Sequence, residues 1–244
     1  MESIKAVLFE PVGGLAEFRA QDFNSAAAEL FDASPDSDLT GSQAYWGLLG
    51  LMEQRQISAE TSLRLEAFEL RAVEHADLYE DVRPSLEALK SLGVATILVS
   101  SLSRGAVARF IEMHALADLF AGCVTRDEAG GIMARPLCFA LDAAGIDPAR
   151  VMALADTAQA LDVTKRLGLS AMLMINDYDE GRALAERNPA GGIVSLAELA
   201  DALRLIEQRF GLRAASRPPR TPNSPPLFPM RTFPFTTSGA MVIV

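Results

Sequence analysis

The feature that most constrains the fold is the regular alternation of short apolar runs with longer amphipathic segments. Such alternation is typical of βαβ units, in which parallel strands are joined by helices that cover the sheet. The predicted strands are Ile4–Phe9, Val94–Val99, Gly122–Thr125, Val151–Ala155 and Ala171–Ile175. Predicted helices at Val82–Leu92 and Thr157–Leu167 end beside Gly93 and Gly168, and glycine is a common helix terminator. The pattern therefore predicts an α/β fold with a doubly wound parallel sheet.

One long segment interrupts this alternation after the first strand. From about residue 18 to residue 78 the apolar positions recur at helical spacing, and the predicted helices are Phe23–Phe31, Ser42–Gln54 and Ala59–Glu74. A helical unit inserted into the sheet domain explains the change of period. We therefore expect an α/β core formed by residues 1–17 and 79–211, a helical cap formed by residues 18–78, and an extended tail formed by residues 212–244.

Composition narrows the range of functions. The formal net charge of -10 disfavours general binding to nucleic acid, which requires clustered Lys and Arg. No apolar run reaches the roughly 18 residues that a membrane-spanning helix needs, and the N-terminus does not resemble a signal peptide. The two Cys residues have no C-x-x-C spacing, and with only two His residues a zinc site is not expected. These features predict a cytoplasmic protein without a membrane span.

The turn after the first strand carries the most functional information. The chain from Ile4 to Leu15 reads Ile-Lys-Ala-Val-Leu-Phe-Glu-Pro-Val-Gly-Gly-Leu. It resembles the first motif of the haloacid dehalogenase-like superfamily, in the phosphoglycolate phosphatase-like and dehalogenase-like branch that has a helical cap. The resemblance implies a nucleophilic Asp at the position of Glu10 and an acid/base Asp at the position of Val12. Here the Glu10 carboxyl lies one methylene further from the backbone, and Val12 cannot transfer a proton.

Three further segments resemble motifs of the same superfamily. Ser100, followed by Ser101, stands where the resemblance implies a hydroxyl that binds the substrate phosphate. Arg135 takes the place of a Lys that neutralises the nucleophile and the transferred phosphoryl group. Asp156 matches a metal ligand of the family, whereas Ala160 replaces a second acidic residue. Ser100, Ser101 and Arg135 are therefore the candidate ligand-binding residues.

Some of these positions also suit ordinary structural roles. Ser101 or Ser103 would serve as the N-cap of the helix after the turn, and Asp156 would serve either as a metal ligand or as an N-cap. Mg²⁺ is normally held by carboxylates, substrate phosphate and water, and only Glu10 and Asp156 remain as candidate carboxylate ligands. We therefore predict no cofactor, with Mg²⁺ needed only if the chain is a hydrolase.

At Glu10, Val12 and Ala160 the sequence departs from the residues that the resemblance implies. These three departures favour a catalytically degenerate protein, a pseudoenzyme, that acts as a protein-binding or structural subunit. One alternative is an atypical hydrolase, either a phosphatase or a haloacid dehalogenase, that uses Glu10. Another is a non-catalytic sensor that binds a small anion at Ser100 and Arg135. Assays with phosphomonoesters and Mg²⁺, and with 2-haloacids without metal, would distinguish the enzyme from the other two.

The C-terminal residues 212–244 form a segment of different composition. They follow the last predicted helix, Leu196–Phe210, and contain seven of the 13 prolines, four Arg residues and no Asp or Glu. Proline-rich segments favour extended polyproline II and do not form a packed core alone. A disordered linker is one interpretation of this composition. However, Phe228, Phe233 and the final Met-Val-Ile-Val are apolar residues that could anchor the tail to a partner. We therefore expect the tail to be an attachment arm for a protein partner.

Overall fold

The computed structural model describes residues 3–55 and 57–214. Six of the described strands form one parallel sheet, and two short ones form an antiparallel ribbon. The strands are β1 (Ala6–Phe9), β2 (Ala16–Glu17), β3 (Asp77–Leu78), β4 (Ala95–Val99), β5 (Gly122–Val124), β6 (Val151–Ala155), β7 (Ser170–Met174) and β8 (Gly191–Ile193). In the sheet the order is β5-β4-β1-β6-β7-β8, whereas β2 pairs with β3. The predicted α/β fold with a parallel sheet is confirmed.

The helices cover both faces of the sheet. They are α1 (Pro11–Gly14), α2 (Ala20–Phe31), α3 (Gly41–Gln54), α4 (Ala59–Glu74), α5 (Val82–Ser91), α6 (Arg104–Met113), α7 (Arg126–Ala129), α8 (Ala134–Ala144), α9 (Ala158–Arg166), α10 (Tyr178–Ala185) and α11 (Leu199–Ala214). Short 3₁₀ turns at Pro148–Arg150 and Leu196–Glu198 precede β6 and α11. The α1 turn is kinked, because Val12 and Gly13 have non-helical backbone angles.

The strands of the parallel sheet are mostly apolar because both faces of the sheet are buried, as is usual for parallel sheets. Successive side chains of a strand point to opposite faces. Accordingly, Val7 and Phe9 of β1 join the core on one face, whereas Ala6 and Leu8 join the core on the other. The central position of β1 therefore places the residue that follows it, Glu10, at the middle of one sheet edge.

Helices α2, α3 and α4 form a unit that we call the helical segment, residues 20–74. Its two ends meet at the ribbon, where Ala16 pairs with Leu78 and Glu17 pairs with Asp77. Thr40 begins α3 with a capping box, in which its side chain accepts from the Gln43 backbone and the Gln43 side chain accepts in return. The buried aromatic side chains of Phe23 and Tyr45 lie 5.2 Å apart, centroid to centroid, and help to join α2 to α3.

The structure differs from the predicted elements where the local signal is short or mixed. The β6 and α4 bounds agree with the prediction, but β8, α8, α10 and the β2–β3 ribbon were not predicted. Helix α11 continues to Ala214, so the first residues of the predicted tail are helical. The rest of the tail, residues 215–244, lies outside the described residues.

Within residues 3–55 and 57–214, no helix combines enough length with enough apolar character to span a bilayer.

Candidate active site

The carboxyl group of Glu10 is the centre of the candidate site. Glu10 follows β1 directly, and both of its oxygens accept hydrogen bonds. The Ser100 hydroxyl donates to Oε1 at 2.5 Å, and the Tyr45 hydroxyl donates to Oε2 at 3.3 Å. The Ser101 backbone N–H also approaches Oε2, at 3.4 Å. Strand β4 and helix α3 thus meet at a carboxyl group that β1 supplies.

The turn at residues 100–103, which we call the serine turn, is ordered by its own side chains. The Leu102 N–H donates to the Ser100 hydroxyl at 3.1 Å, and the Met133 N–H donates to the Ser101 hydroxyl at 2.7 Å. Ser103 is the N-cap of α6, where its hydroxyl accepts from the Ala106 N–H. The structure therefore gives the capping role to Ser103 and leaves Ser100 and Ser101 beside Glu10.

The ionisation of Glu10 is strongly perturbed. Burial raises the pKa of Glu10 from 4.5 to about 8, and the negative charge of Asp156 acts in the same direction. The hydrogen bonds from Ser100, Ser101 and Tyr45 oppose this rise because they favour the ionised carboxylate. At neutral pH the folded chain therefore holds Glu10 largely protonated.

We expect the Glu10 carboxyl to titrate with a midpoint near pH 8 in the folded chain. Since the folded state holds this proton more tightly than the unfolded state, stability should fall as the pH rises from 4.5 to 8, by about 1.4 kcal/mol per pH unit. NMR of ¹³C-labelled Glu side chains measures the midpoint, and urea unfolding at several pH values measures the slope. The midpoint should be absent in Glu10→Gln, and its stability should fall less steeply over this range, because the raised pKa of Asp156, about 6, still contributes. Equal slopes for the two proteins would contradict the expectation.

A small cavity of about 40 Å³ adjoins this carboxyl. It has room for roughly three water molecules. Its polar lining comes from Glu10, Ser100, Ser101 and Thr164. The other lining side chains are apolar and include Phe9, Trp46, Leu137, Leu154 and Ala160. None of the described lining residues is Lys, Arg or His, so the protein supplies no positive charge there.

Arg135 lies apart from the cavity lining. Its side chain is exposed in the first turn of α8, whereas its neighbours Met133, Pro136 and Leu137 line the cavity. Adjacent residues of a helix point about 100° apart, so the turn that directs Pro136 inward directs Arg135 away. Ser100 therefore lines the cavity without Arg135, and the anion site that combines the two residues stays a prediction.

Asp156 lies at the end of β6 and contacts the kinked α1 turn. A Cβ atom placed on Gly13 would lie 1.8 Å from Asp156 Oδ2 and 2.0 Å from the Ser42 hydroxyl oxygen. Burial raises the pKa of Asp156 to about 6, a hydrogen bond from Ser42 opposes the rise, and the charge of Glu180 adds to it. The N-cap of α9 is Thr157, so the predicted capping role of Asp156 is wrong.

We expect Gly13→Ala to destabilise the fold by about 2–4 kcal/mol. The φ angle of Gly13 is 75°, a conformation that favours glycine, and a methyl group there would also collide with Asp156. Gly168→Ala is a matched control, because Gly168 has φ 72° but open space around a Cβ atom. Urea unfolding should show a smaller loss for the control, of about 1 kcal/mol. Equal losses would show that the contact with Asp156 and Ser42 has no energetic weight.

The described residues do not fit a Mg²⁺ site. No group of three or more His, Cys, Asp or Glu side chains in residues 3–55 and 57–214 is arranged to hold a metal ion. Val12 is buried in the apolar core, and Ala160 lines the cavity without any oxygen in its side chain. Glu10 and Asp156 are held by hydroxyl groups of Ser100, Tyr45 and Ser42.

Several residues of the site come from the helical segment and were not predicted. Tyr45 and Trp46 of α3 reach the Glu10 carboxyl and the cavity, and Ser42 reaches Asp156. Their sequence positions show only helical periodicity, because their functional placement depends on how α3 packs over β1. Gly13 did have a local signal, since a Gly-Gly pair after a strand is typical of a tight turn.

Comparisons with known proteins agree on one family. A model described as haloacid dehalogenase-like hydrolase matches residues 6–168. A phosphoglycolate phosphatase of Pseudomonas syringae pv. tomato is 24% identical over 201 residues, which are 82% of this chain and 70% of that protein. A phosphoglycolate phosphatase of Pseudomonas savastanoi pv. phaseolicola is 26% identical over 124 residues. That match spans 50% of this chain and about half, 46%, of the relative.

The fold also matches solved structures. A haloacid dehalogenase-type phosphatase from Thermococcus onnurineus superposes with a TM-score of 0.56 and 21% sequence identity, over 82% of this chain and 98% of that chain. At this identity the likeness concerns the fold alone.

Proposed function

The chain belongs to the haloacid dehalogenase-like hydrolases, and we propose that it is an atypical hydrolase of this family that uses Glu10 as its nucleophile without Mg²⁺. The observation that carries the proposal is the place of the Glu10 carboxyl, which lines a cavity at the end of the central strand. In open α/β sheets, ligands bind outside the carboxyl ends of the strands. A carboxyl with a raised pKa in a cleft is also a common feature of functional sites.

The cavity favours an electrophilic carbon over a phosphate ester as the substrate centre. A phosphate dianion requires more positive charge than the single carboxylate charge of a 2-haloacid, and the described lining side chains supply none. A halide leaving group, in contrast, departs without a proton. The loss of a general acid at Val12 is therefore tolerable for displacement of a halide, but not for release of the alcohol of a phosphate ester.

The proposed reaction has two steps. The ionised Glu10 oxygen attacks the carbon, the carbon–halogen bond breaks with its electron pair on the halide, and an ester of Glu10 forms. Water then hydrolyses this ester, which returns the Glu10 carboxylate and releases the hydroxy product and a proton. The Ser100 hydroxyl holds Oε1 at 2.5 Å, whereas Oε2 has only the longer contacts from the Tyr45 hydroxyl at 3.3 Å and the Ser101 N–H at 3.4 Å, so Oε2 is the oxygen proposed to react.

The test is a substrate screen under two conditions. Short 2-haloacids are assayed with a chelator at pH values from 6 to 9.5, and phosphomonoesters, including 2-phosphoglycolate, are assayed with millimolar Mg²⁺. Halide release that persists with the chelator would support the proposal. Mg²⁺-dependent release of phosphate would overturn its metal-free part and would assign a phosphatase instead.

A second candidate, the catalytically degenerate binding subunit, is favoured by one specific observation. At neutral pH the Glu10 carboxyl is largely neutral and both of its oxygens accept hydrogen bonds, a state suited to structure rather than to attack. In this proposal residues 212–244 are the attachment arm for a protein partner. Affinity capture with the full chain, and with a chain that ends at Ala214, would test it. Capture by the full chain alone, together with no turnover in the screen, would support this candidate.

A further inference from the structure

A buried ion pair lies behind the serine turn, outside the cavity. Arg126, the first residue of α7, donates from Nη1 to Oε1 of Glu69 in α4. Their side chains are 6% and 2% exposed. Neither residue lines the cavity or contacts Glu10 directly. The pair thus connects the helical segment to the sheet domain at a point where water is excluded.

Both members of the pair also hold the serine turn. The same Arg126 Nη1 donates to the Ser101 carbonyl oxygen at 3.2 Å, and the Ser103 N–H donates to Glu69 Oε2 at 3.1 Å. The Arg126 backbone N–H donates to the Leu102 carbonyl oxygen at 3.3 Å. The turn is therefore fixed along its back edge by charged groups from two separate helices.

The front edge of the same turn faces Glu10. Ser101 bonds in both directions, because its N–H approaches Glu10 while its carbonyl oxygen accepts from Arg126. Ser100, one residue earlier, donates its hydroxyl to Glu10. A shift of Arg126 or Glu69 would therefore displace the groups that bond the Glu10 carboxyl.

We propose that Glu69 and Arg126 are positioning residues for Glu10. Through them, the packing of the helical segment against the sheet determines the hydrogen bonds that the Glu10 carboxyl receives. The inference rests on the proposed function, since it assigns the pair to the carboxyl that this function uses. A contact that only joined two helices would not need charges, because apolar side chains of similar volume pack as well without the desolvation cost. The charged pair provides what apolar side chains lack, namely a donor for the Ser101 carbonyl and an acceptor for the Ser103 N–H.

The effect on Glu10 would be transmitted through the turn rather than by direct charge. The titratable groups that interact with Glu10 are Tyr45 of α3, Asp156 after β6 and Cys123 of β5. Glu69 and Arg126 carry opposite charges, so their joint replacement leaves the net charge unchanged.

The test replaces the pair and follows the Glu10 titration by NMR of ¹³C-labelled Glu side chains. The variant Glu69→Leu with Arg126→Met fills the same space with apolar groups. Burial of Glu10 is retained, whereas the hydrogen bonds that favour its ionised form are weakened. We expect the titration midpoint to move upward by about one pH unit, and Arg126→Lys, which keeps a donor for the Ser101 carbonyl, to move it by less.

The control is Arg104→Gln, which removes an ion pair with Glu128 between α6 and α7 but no contact of the serine turn with Glu10. Its midpoint should match that of the parent chain.

A second replacement, Glu69→Gln with Arg126→Gln, repeats the test with polar side chains. The Gln that replaces Arg126 is too short to reach the Ser101 carbonyl. An unchanged midpoint in a folded double variant would overturn the proposal, and so would failure of both double variants to fold, since the pair would then be a requirement of the fold. The titration does not depend on turnover. A negative substrate screen would therefore count against the proposed function without deciding whether the pair positions Glu10.

Discussion

Glu10→Gln is expected to abolish halide release, with a loss of roughly a thousandfold or more relative to the parent chain. Glutamine has nearly the shape of glutamate but cannot form the ester intermediate, and removal of a nucleophile commonly costs several orders of magnitude in rate. Initial rates of halide release at saturating 2-haloacid measure the effect. Because only the ionised carboxylate attacks, the rate of the parent chain should rise with pH and level off above about 8.

Two further variants separate chemistry from folding. Glu10→Asp withdraws the carboxylate by one methylene, and a displacement of about 1 Å can cost on the order of a hundredfold in rate. Asp162→Asn is the control, because Asp162 lies on the outer face of α9 in an exposed ion pair with Arg187 and should leave the rate unchanged. Retention of turnover by Glu10→Gln would exclude Glu10 as the nucleophile. A rate of the parent chain that is highest below pH 6 would contradict the need for ionised Glu10.

The sequence predicted the parts of the fold that have strong local signals. Strand β6 was predicted at its observed bounds because its five residues are all apolar, as expected of a strand buried on both faces. Strand β8 was missed because it is three residues long and begins with two glycines. Helix α8 was missed because Arg135-Pro136 was read as a motif, although proline is well tolerated in the first turn of a helix.

The candidate site likewise contains residues whose positions follow from local sequence signals and residues whose positions do not. Glu10, Ser100 and Ser101 follow directly after two neighbouring strands of the sheet, so their proximity follows from the fold class. Arg135 was placed by its motif alone, and the local helix turned it outward. Tyr45, Glu69 and Arg126 act through contacts between residues 25 to 57 positions apart in the sequence, which no local pattern encodes. The direct environment of Glu10 therefore required the packing of the helical segment.

Arg126→Met is expected to destabilise the fold by about 3–5 kcal/mol, because it leaves the carboxylate of Glu69 buried without its cation. The cost arises from the unpaired charge rather than from lost packing. The double variant Glu69→Leu with Arg126→Met should therefore recover most of the loss and come within about 1–2 kcal/mol of the parent chain. Urea unfolding at pH 7 measures all three proteins.

A neighbouring ion pair provides the control for this stability test. The Arg104 side chain is 54% exposed, whereas that of its partner Glu128 is 3% exposed and keeps hydrogen bonds from the N–H, at 2.9 Å, and the hydroxyl of Thr125 when Arg104 is replaced. Because these donors remain, Arg104→Met should cost less than Arg126→Met, about 1–2 kcal/mol. If Arg126→Met and Arg104→Met cost the same, Glu69 tolerates the loss of its partner, and water or a backbone group must reach it. If the double variant is as unstable as Arg126→Met, the loss comes from the contacts of Arg126 with the serine turn rather than from the unpaired charge.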